Sequence, residues 1–554
     1  MTDSPAATAP RAAATQSPVM VVGAASLGTM FEWYDFFLYG SLAVYIAQHF
    51  FAAVGEATAF IFALIAFGAG FVARPFGAAV FGRLGDLVGR KRTFLVTMAL
   101  MGVSTFLVGL LPGHDVIGVA APAILVGLRL LQGLALGGEY GGAAIYVAEH
   151  APAESRGLYT SWINAMATLG LITSLAVIIG LRLTMPEDDF AAWGWRIPFL
   201  LSVLLLAISL WIRMRLSESP VFQRMKEEGA TAKAPLSEAV SDRKNLGRMI
   251  AALFGVIAGG TTIWYTAHFY PLFFLDRVLK VDALLANVLV SVALCIALPS
   301  YLFFGWLSDR IGRKVILLGG AGLAALTIIP AYHLLTEAAN PALATAQRNA
   351  PVVVRADPAA CSVQFDPIGR GGFNTRDCDI AKAFLTRAGV NHTSEPSPAG
   401  SRAEIHVVAQ IVQAPDVAAL GEGGRDAAIA SFQAGARAAL DAAGYPSAAD
   451  PARINRPLVV FALVYLLLLA TMTYAPVSAF LVELFPARIR YTSLSLPYHL
   501  GTGWIGGFMP ATAFAIVAAN GGIYSGLWYP VFFAAFSVLV GVLTLPETRG
   551  QPIS

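Results

Sequence analysis

The hydrophobic residues of the chain are gathered into long continuous runs, which are separated by shorter polar loops. A helix needs about 20 apolar residues to cross the hydrocarbon of a bilayer. A closed β-barrel would instead show alternating segments of about 10 residues, so the continuous runs predict membrane-spanning helices. Twelve runs reach this length: 19–45, 57–81, 92–112, 116–146, 157–181, 193–213, 247–272, 284–307, 314–335, 457–482, 491–518 and 523–545.

Two short motifs occur twice along the chain, at different offsets. The pattern G-x-L-x-D-x-x-G-R-K spans 82–91 and again 305–314, an offset of 223 residues. The pattern E-x-x-P-A-x-x-R spans 149–156 and 483–490, an offset of 334 residues. The difference, 334 − 223 = 111, predicts an insertion of about that length in the second half. Without it the chain is a pair of parallel six-helix halves, an architecture of transporters.

The insert is predicted at 336–456, because this stretch is polar and lies between the ninth and tenth runs. The predicted fold class is therefore an all-α polytopic membrane protein with twelve helices in two six-helix halves and an extracytoplasmic insert between helices 9 and 10. The other predicted parts are a disordered cytoplasmic tail (1–18), the N-terminal half (19–215), a cytoplasmic linker (216–246), helices 7–9 (247–335), helices 10–12 (457–545) and a cytoplasmic tail (546–554).

The orientation is predicted from the Lys and Arg residues of the short loops, which are in excess on the cytoplasmic side of a membrane protein. The loops on one side of the predicted helices have only Arg182, Arg196, Arg277 and Lys280, and those on the other side have many more. Both termini are therefore expected in the cytoplasm and the insert outside. The first run is too long for the core of a signal peptide and is taken as a span.

The insert carries its own signs of order. Residues 403–409 alternate like a strand, and 424–443 read as an Ala-rich helix. Cys361 and Cys378 both lie here, and an oxidising outer compartment favours a disulfide between them. The alternative is a pair of free thiols in a poorly ordered loop.

The composition agrees with a chain whose main solvent is lipid. Only 13% of the residues are charged and 57% are hydrophobic, whereas a soluble domain has about 25% charged residues. The net charge is +3. The sequence has no basic stripe with interleaved aromatic residues, so nucleic acid is not an expected partner. No metal-ligand cluster, nucleophile elbow or phosphate loop is recognisable, and neither an enzyme nor a metal or cofactor is expected.

Charged residues inside predicted spans are functional candidates, because burying a charge in a bilayer costs about 3 kcal/mol or more. Glu32 and Asp35 in the first span and Arg129 in the fourth lie at similar predicted depth. A carboxylate balanced between burial and a nearby guanidinium can load and release a proton. We therefore predict proton coupling by these residues; the alternative is a static buried salt bridge. Arg74 and Glu139 form a second candidate pair, either a gate ion pair or a structural one.

Several motifs resemble those of the major facilitator superfamily. The repeated loop pattern is similar to its signature, and Phe31–Phe36 (FEWYDF), Ala73–Gly77 (ARPFG) and Arg129–Gly133 (RLLQG) resemble its metabolite:proton symporter branch. Members of this branch carry organic acids, shikimate-like acids, or proline and betaine. The resemblance covers 19–335 and 457–550 and leaves out the insert. It implies that the R-x-x-Q-G arginine takes part in proton coupling.

The resemblance also implies that the repeated loop latches an inner gate. The gate residues would be Asp86, Gly89 and Arg90, with Asp309, Gly312 and Arg313 in the second half. The alternative explanation, charge bias alone, accounts for the basic residues but not for an Asp and a Gly kept in register twice. Glycines at four-residue spacing in spans 4 and 11, the small-xxx-small pattern, predict close helix packing: Gly133, Gly137, Gly141, Gly503 and Gly507.

Polar and aromatic residues within the predicted spans are candidates for binding the substrate, although many membrane Trp and Tyr residues instead form interfacial belts. The candidates are Trp33, Gln132, Trp162, Asn164, Tyr265, His268, Tyr498 and His499. Arg129 suits a carboxylate because its guanidinium can bind one through two hydrogen bonds.

The expected function is proton-coupled symport of a small metabolite, with an organic acid favoured, by alternating access. The proton gradient would drive it, and the expected partners are the metabolite, protons and the lipid of the cell's inner membrane. The functional unit is expected to be a monomer. One alternative is a facilitator or an exporter of the same fold, and another is a membrane sensor whose insert binds a ligand.

Overall fold

Long helices make up most of the computed structural model of the protein, which describes residues 18–51, 56–214, 220–229, 234–361, 375–417 and 420–553. The predicted tail 1–18 lies outside these residues except for its last position, and so does part of the linker 216–246. The first half begins with six long helices: α1 (Pro18–Ser41), α2 (Glu56–Leu87), α3 (Arg90–Leu110), α4 (Ala120–His150), α5 (Arg156–Thr184) and α6 (Ile197–Met214).

The helices of the second half are broken more often. Segment α7 joins Arg243–Ala252 to Ala258–His268 through a π-helical turn, and α8 joins Ala283–Ala297 to Pro299–Ile311. Segment α11 joins Arg490–His499 to Met509–Asn520 through a second π-helical stretch, Leu500–Gly506. The remaining segments are α9 (Arg313–Ala339), α10 (Arg456–Tyr474 with Val477–Leu484) and α12 (Trp528–Thr544). Short helices lie in the connections: Ala43–Phe50, His114–Ile117, Glu187–Ala192, Pro220–Glu227, Pro235–Ser241 and Tyr270–Phe273.

Ten of the described segments, α3 to α12, are long and apolar enough to cross a membrane. They coincide with the third to twelfth predicted spans. Helices α1 and α2 are 24 and 32 residues long and cover the first two predicted spans, and a count of twelve crossings stays a prediction. Within each half the helices pack closely, and the halves meet where α2 faces α11 and α5 faces α8.

Glycines let α2 and α4 pack with their backbones in contact. A Cβ atom at Gly133 would overlap the carbonyl oxygen of Gly70, and one at Gly137 would overlap that of Arg74. On the facing helix, a Cβ atom at Gly77 would overlap the carbonyl of Leu134. The spacing of Gly133 and Gly137 therefore marks the line along which these two helices touch, as small residues do in membrane helix pairs.

A small α/β unit occupies the chain between α9 and α10, so the fold is not helical throughout. Its sheet has the order β2-β1-β3-β4, with strands β1 (Val352–Ala356), β2 (His392–Pro396), β3 (Glu404–Val407) and β4 (Gln410–Gln413). Strand β1 pairs in parallel with β2 and antiparallel with β3. Helices Asp377–Arg387 and Glu422–Ala442 pack on the sheet and contact each other through Phe384 and Phe432.

The α/β unit is attached to the second half at three places. The His392 amide donates to the Gly521 carbonyl at 3.0 Å, beyond the end of α11. The Ala449 amide donates to the Lys280 carbonyl at 2.9 Å, between α7 and α8. The Asn455 amide donates to the Ala338 carbonyl at 2.9 Å, at the end of α9. These contacts fix the unit to the ends of the second-half helices; we call this end of the molecule the insert end.

A disulfide joins Cys361 to Cys378 within the α/β unit. The sequence separation is 17 residues, and closing a loop of about this length stabilises a folded state by about 3 kcal/mol in the chain-entropy model. Replacing both cysteines with Ser is therefore expected to make the unit more sensitive to proteolysis. Limited proteolysis of the purified full-length protein, with the Cys295→Ser variant as control, would measure this. Equal cleavage rates for all three proteins would contradict the expectation.

Candidate functional site

Asp309 of the repeated loop motif caps a helix that belongs to the other half. Its carboxylate accepts hydrogen bonds from the backbone amides of Gly157 and Leu158, each at 2.8 Å. These amides lie in the first turn of α5, where backbone N–H groups have no partner within the helix. Arg313 donates to the same carboxylate at 2.6 Å. A carboxylate is favoured at this position because the N-terminus of a helix carries partial positive charge.

Asp86 of the first half caps a helix of the second half in the same way. Its carboxylate accepts from the backbone amide of Thr492 at 3.1 Å and from the Thr492 hydroxyl at 2.8 Å, in the first turn of the Arg490–His499 helix. The motif glycines Gly89 and Gly312 have φ angles of 120° and 111°, a backbone conformation that favours glycine. The repeated Asp and Gly therefore have a geometric role, since the Asp caps a helix of the opposite half and the Gly makes the turn beside it.

The second repeated motif pairs with its own copy across the two halves. Arg156 of the first copy contacts Glu483 of the second at 2.9 Å, and Arg490 of the second contacts Glu149 of the first at 3.1 Å. All four side chains are at most 3% exposed. Arg313 also reaches Glu483, at 3.3 Å. These contacts hold the halves together at the end that we call the motif end, opposite the insert.

The side chain of one motif-end residue, Arg90, is not among the parts that the structure describes. Arg90 begins α3, and only its backbone is described. Its counterpart Arg313 donates its backbone amide to Glu547 at 2.9 Å and its side chain to Asp309 and Glu483. The structure thus places Arg313 in contact with Glu483 of the second motif, a contact that the sequence did not predict.

A narrow cavity, which we call the aromatic cavity, lies between the two halves near the middle of the helices. Four predicted substrate candidates line it: Trp33, Asn164, Tyr265 and Tyr498. The sequence analysis missed the other large lining side chains, Tyr140, Trp264 and Tyr474. Smaller lining residues are Thr29, Ile163, Ala167 and Thr502. The cavity wall is thus mainly aromatic with hydroxyl and amide groups, the lining expected for a small organic ligand.

The aromatic wall is held in place by ring contacts and hydrogen bonds. The rings of Tyr140 and Tyr498 are stacked with centroids 3.6 Å apart, and the Tyr140 hydroxyl lies 2.8 Å from the Ser478 hydroxyl. Asn164 donates to the Tyr474 carbonyl at 2.9 Å. Tyr140 and Asn164 belong to the first half and their partners to the second. The wall therefore bridges the halves at the same level as the cavity.

Two predicted substrate residues are not among the residues that line this cavity. His268 contacts the Thr168 hydroxyl at 3.2 Å and the Tyr301 hydroxyl at 3.3 Å, and its ring stacks on Trp264 with centroids 4.3 Å apart. Gln132 accepts from Arg129 at 2.5 Å and donates to Thr105 at 2.9 Å. His268 packs on Trp264 of the wall and Gln132 binds Arg129, and neither side chain lines the aromatic cavity.

Trp162 was predicted as a substrate residue, and the structure shows that this is wrong. Its side chain is 37% exposed on the outside of the helix bundle, whereas Asn164 on the same helix is buried at the cavity. Positions two apart on an α-helix point about 200° apart, so both residues cannot face the cavity. An outward-facing Trp fits the interfacial belt that the sequence left as the alternative.

Arg74 and Glu139 do not form the predicted ion pair. The Arg74 guanidinium lies over three aromatic rings, with its carbon 5.5 Å from the ring centres of Trp33 and Phe36 and 5.8 Å from that of Phe71. No carboxylate of the described residues is in salt-bridge contact with it. Glu139 instead lies in a different cavity. The sequence placed both residues in neighbouring helices correctly but could not give the rotation of each helix.

A second narrow cavity, which we call the acid cavity, is lined by three carboxylates. Glu32 and Asp35 line it from α1 and Glu139 from α4, with Met98 and Met101 among the other lining residues. All three carboxylates are at most 5% exposed. The sequence predicted the pairing of Glu32 with Asp35 but not the third acid. Three buried acids in one cavity can share protons, because a carboxylate is far cheaper to bury when it is neutral.

Arg129 connects to the acid cavity through a short polar chain. It is fully buried, lies over the Tyr39 ring at 4.3 Å, and donates to Gln132, which donates to Thr105. Thr105 in turn lies beside Asp35. The structure thus brings together the predicted coupling residues Glu32, Asp35 and Arg129 in one buried region.

The chain is similar in sequence to known transporters. The family model described as sugar (and other) transporter matches residues 20–251 and 428–554. The chain is 37% identical over 314 residues to a citrate-proton symporter of Salmonella typhi, which covers 56% of this chain and 70% of that protein. It is 34% identical over 317 residues to a shikimate transporter of Escherichia coli K12, again covering 56% and 70%. A proline/betaine transporter of the same organism is 34% identical over 326 residues, with 57% and 64% covered.

A solved structure supports the same fold. The chain aligns to the major facilitator superfamily proton:xylose symporter XylE, bound to 6-bromo-6-deoxy-D-glucose, with a TM-score of 0.64, 15% identity and 97% of both chains covered. At this identity the likeness concerns the fold alone. The family model matches more than half of this chain, and relatives above 30% identity are covered over two thirds of their length. The chain therefore belongs to the sugar (and other) transporter family, which confirms the predicted resemblance to metabolite:proton symporters.

Proposed function

We propose that the protein carries a small metabolite with a carboxylate group across the cell's inner membrane together with protons, by alternating access. Citrate, shikimate, proline and betaine, which the names of its relatives give as their substrates, all contain a carboxylate. The observation that carries the proposal is the pair of buried cavities, one aromatic and one acidic, on either side of α1. The motif end is closed by the crossed charge pairs, as one state of an alternating cycle requires.

Helix α1 connects the two cavities. Thr29 and Trp33 face the aromatic cavity, whereas Glu32 and Asp35 face the acid cavity. Because all four lie within two turns of one helix, a shift of α1 that follows proton binding also moves the wall of the aromatic cavity. Such a shared helix lets protonation and substrate binding change each other's free energy, which is the thermodynamic requirement for coupling.

The proposed coupling residues are Glu32 and Asp35, with Arg129 adjusting their charge balance through Gln132 and Thr105. A static salt bridge would need the acids to stay ionised throughout the cycle. Their common cavity with Glu139 argues against that, because like charges in a buried site repel each other and favour protonation of at least one. The proposal includes cytoplasmic termini, a cytoplasmic motif end and a monomeric transport unit.

The Glu32→Gln variant is expected to keep exchange of substrate but to lose pH-driven accumulation. The amide resembles the protonated acid in shape but cannot release a proton. Uptake of radiolabelled citrate, shikimate, proline and betaine into proteoliposomes, with and without an inward proton gradient, measures accumulation. Counterflow at equal pH measures exchange.

The matched control for this prediction is Glu337→Gln, which removes an exposed carboxylate at the insert end and should transport like the wild type. Accumulation by Glu32→Gln equal to that of the wild type would rule out Glu32 as a coupling residue. A wild-type protein that equilibrates the probe without responding to the gradient would be a facilitator. One that accumulates only when the gradient is reversed would be an exporter.

A further inference from the structure

Several polar groups around Arg74 are buried without hydrogen-bond partners. The Nε and Nη1 atoms of Arg74, the hydroxyl of Tyr265 and both ring nitrogens of His499 make no hydrogen bond among the described residues. These side chains are 0–2% exposed. Buried polar groups in folded proteins are almost always hydrogen-bonded, so a cluster of unpaired ones calls for an explanation.

The unpaired groups lie close to one another in the structure. Arg74 is close enough to Tyr265 and His499 to act on both electrostatically, and the rings of Phe71 and Tyr265 are 5.8 Å apart. Tyr265 lines the aromatic cavity, and so does Trp33, over which the guanidinium of Arg74 lies. Tyr265 therefore lines the cavity in which the proposed function puts the substrate, and Arg74 and His499 contact its lining residues Trp33 and Tyr498.

Packing alone does not account for Arg74. Aromatic rings attract a guanidinium but accept none of its hydrogen bonds in the plane of the group, where its donors point. A buried cation also needs a counter-charge, and among the described residues Arg74 is in no salt bridge. A carboxylate at this edge would supply both the negative charge and acceptors for two parallel hydrogen bonds.

The groups come from both halves of the protein. Arg74 lies on α2 of the first half, whereas Tyr265 lies on α7 and His499 on α11 of the second. Tyr265 follows the π-helical turn Leu253–Ile257, and His499 directly precedes the π-helical stretch Leu500–Gly506. Turns of this kind are frequent at functional sites because they redirect side chains out of the regular helical spacing.

We propose that Arg74, Tyr265 and His499 form the site that binds the carboxylate of the transported metabolite. Arg74 supplies the charge and paired donors from the first half. Tyr265 and His499 supply single donors from the second half. The site rests on the proposed function for its substrate class, and it adds the residues that would recognise that class. It also assigns carboxylate binding to Arg74 in α2, whereas Arg129 remains with the acid cavity.

The test uses the full-length protein with citrate, shikimate, proline and betaine as probes. Wild-type uptake identifies which probe is accumulated, and quenching of tryptophan fluorescence gives its affinity, since Trp33 and Trp264 line the cavity. The Arg74→Gln variant is expected to bind that probe about 30-fold more weakly, as expected for loss of charge-assisted hydrogen bonds. It should also lose the wild type's preference for the acid over the corresponding amide, which a packing defect would not remove.

The Tyr265→Phe variant keeps the test decisive if Arg74→Gln does not fold. Its hydroxyl interacts with no described side chain other than Arg74 and Tyr474, so Tm should change little while affinity falls about 5-fold. Tyr270→Phe is the matched control, because Tyr270 also has a buried unpaired hydroxyl but is not among the residues lining the aromatic cavity; its affinity should equal that of the wild type.

The outcomes separate the site from the function. If the wild type accumulates a probe, and Tyr265→Phe and any folded Arg74→Gln protein bind it as tightly as the wild type, the site is wrong and the proposed function stands. If the wild type accumulates none of the four probes, the proposed function fails and the site with it.

Discussion

Replacing Glu483 with Gln is expected to lower the free energy of unfolding by about 3–5 kcal/mol, the usual effect of removing one partner from a buried ion pair. Glu483 contacts Arg156 at 2.9 Å and Arg313 at 3.3 Å, and it accepts from the Thr548 hydroxyl at 2.9 Å. The amide would leave two buried guanidinium groups without their shared counter-charge. Thermal unfolding of the detergent-purified protein would show a large fall in Tm.

The same substitution should also open the motif end. Glu483 joins a first-half residue, Arg156, to a second-half residue, Arg313, so its loss weakens one state of the transport cycle more than the other. A cysteine introduced at Leu158 should react faster with a maleimide in the Glu483→Gln background. Glu238→Gln is the control, because its ion pair with Arg488 is partly exposed and such pairs contribute about 1 kcal/mol or less. Equal effects of the two substitutions would contradict the buried-pair argument.

Replacing Gly137 with Ala is expected to destabilise the protein by about 3 kcal/mol, at the upper end of overpacking effects. The added methyl group would overlap the backbone carbonyl of Arg74 on the facing helix, and backbone cannot move aside as a flexible side chain can. The helices α2 and α4 would have to separate, which also displaces Arg74. Both Tm and the yield of folded protein from membranes should fall.

The matched control for Gly137 is Gly127 on the same helix. A Cβ atom at Gly127 would have no atom within 4 Å, so the Gly127→Ala variant should be neutral or slightly stabilised by its better helix propensity. If the two alanine variants had the same Tm, the close approach of α2 and α4 would not be required for stability.

The hydrophobic pattern predicted most of the helices because membrane spans depend on length and composition alone. The duplicated motifs indicated a role beyond charge bias for the repeated Asp and Gly, but only the structure shows that each Asp caps a helix of the opposite half. What the sequence could not show was which copy contacts which. Arg156 pairs with Glu483, a residue of the other copy, and no spacing within a single motif carries that information.

The sequence also could not predict the rotation of each helix about its own axis. Trp162 and Asn164 were equally good candidates in the sequence, but they lie on opposite sides of α5. Tyr140 and Tyr474 were missed because aromatic residues of spans more often lie in interfacial belts. A signal for Tyr140 was present, since it lies between Gly138 and Gly141, where close helix contact was predicted.

The α/β unit is rigidly attached to one half of the transporter. Its backbone contacts are to Gly521, Lys280 and Ala338, all of which belong to the second half. Any rotation of that half in the transport cycle therefore carries the unit with it, and the displacement of the unit grows with its distance from the rotation axis. A fluorophore on this unit, paired with one on the first half, would report each turnover of a single molecule. A protein that bound only the α/β unit would move with it and would not impede transport. A protein that also bound the first half would slow transport.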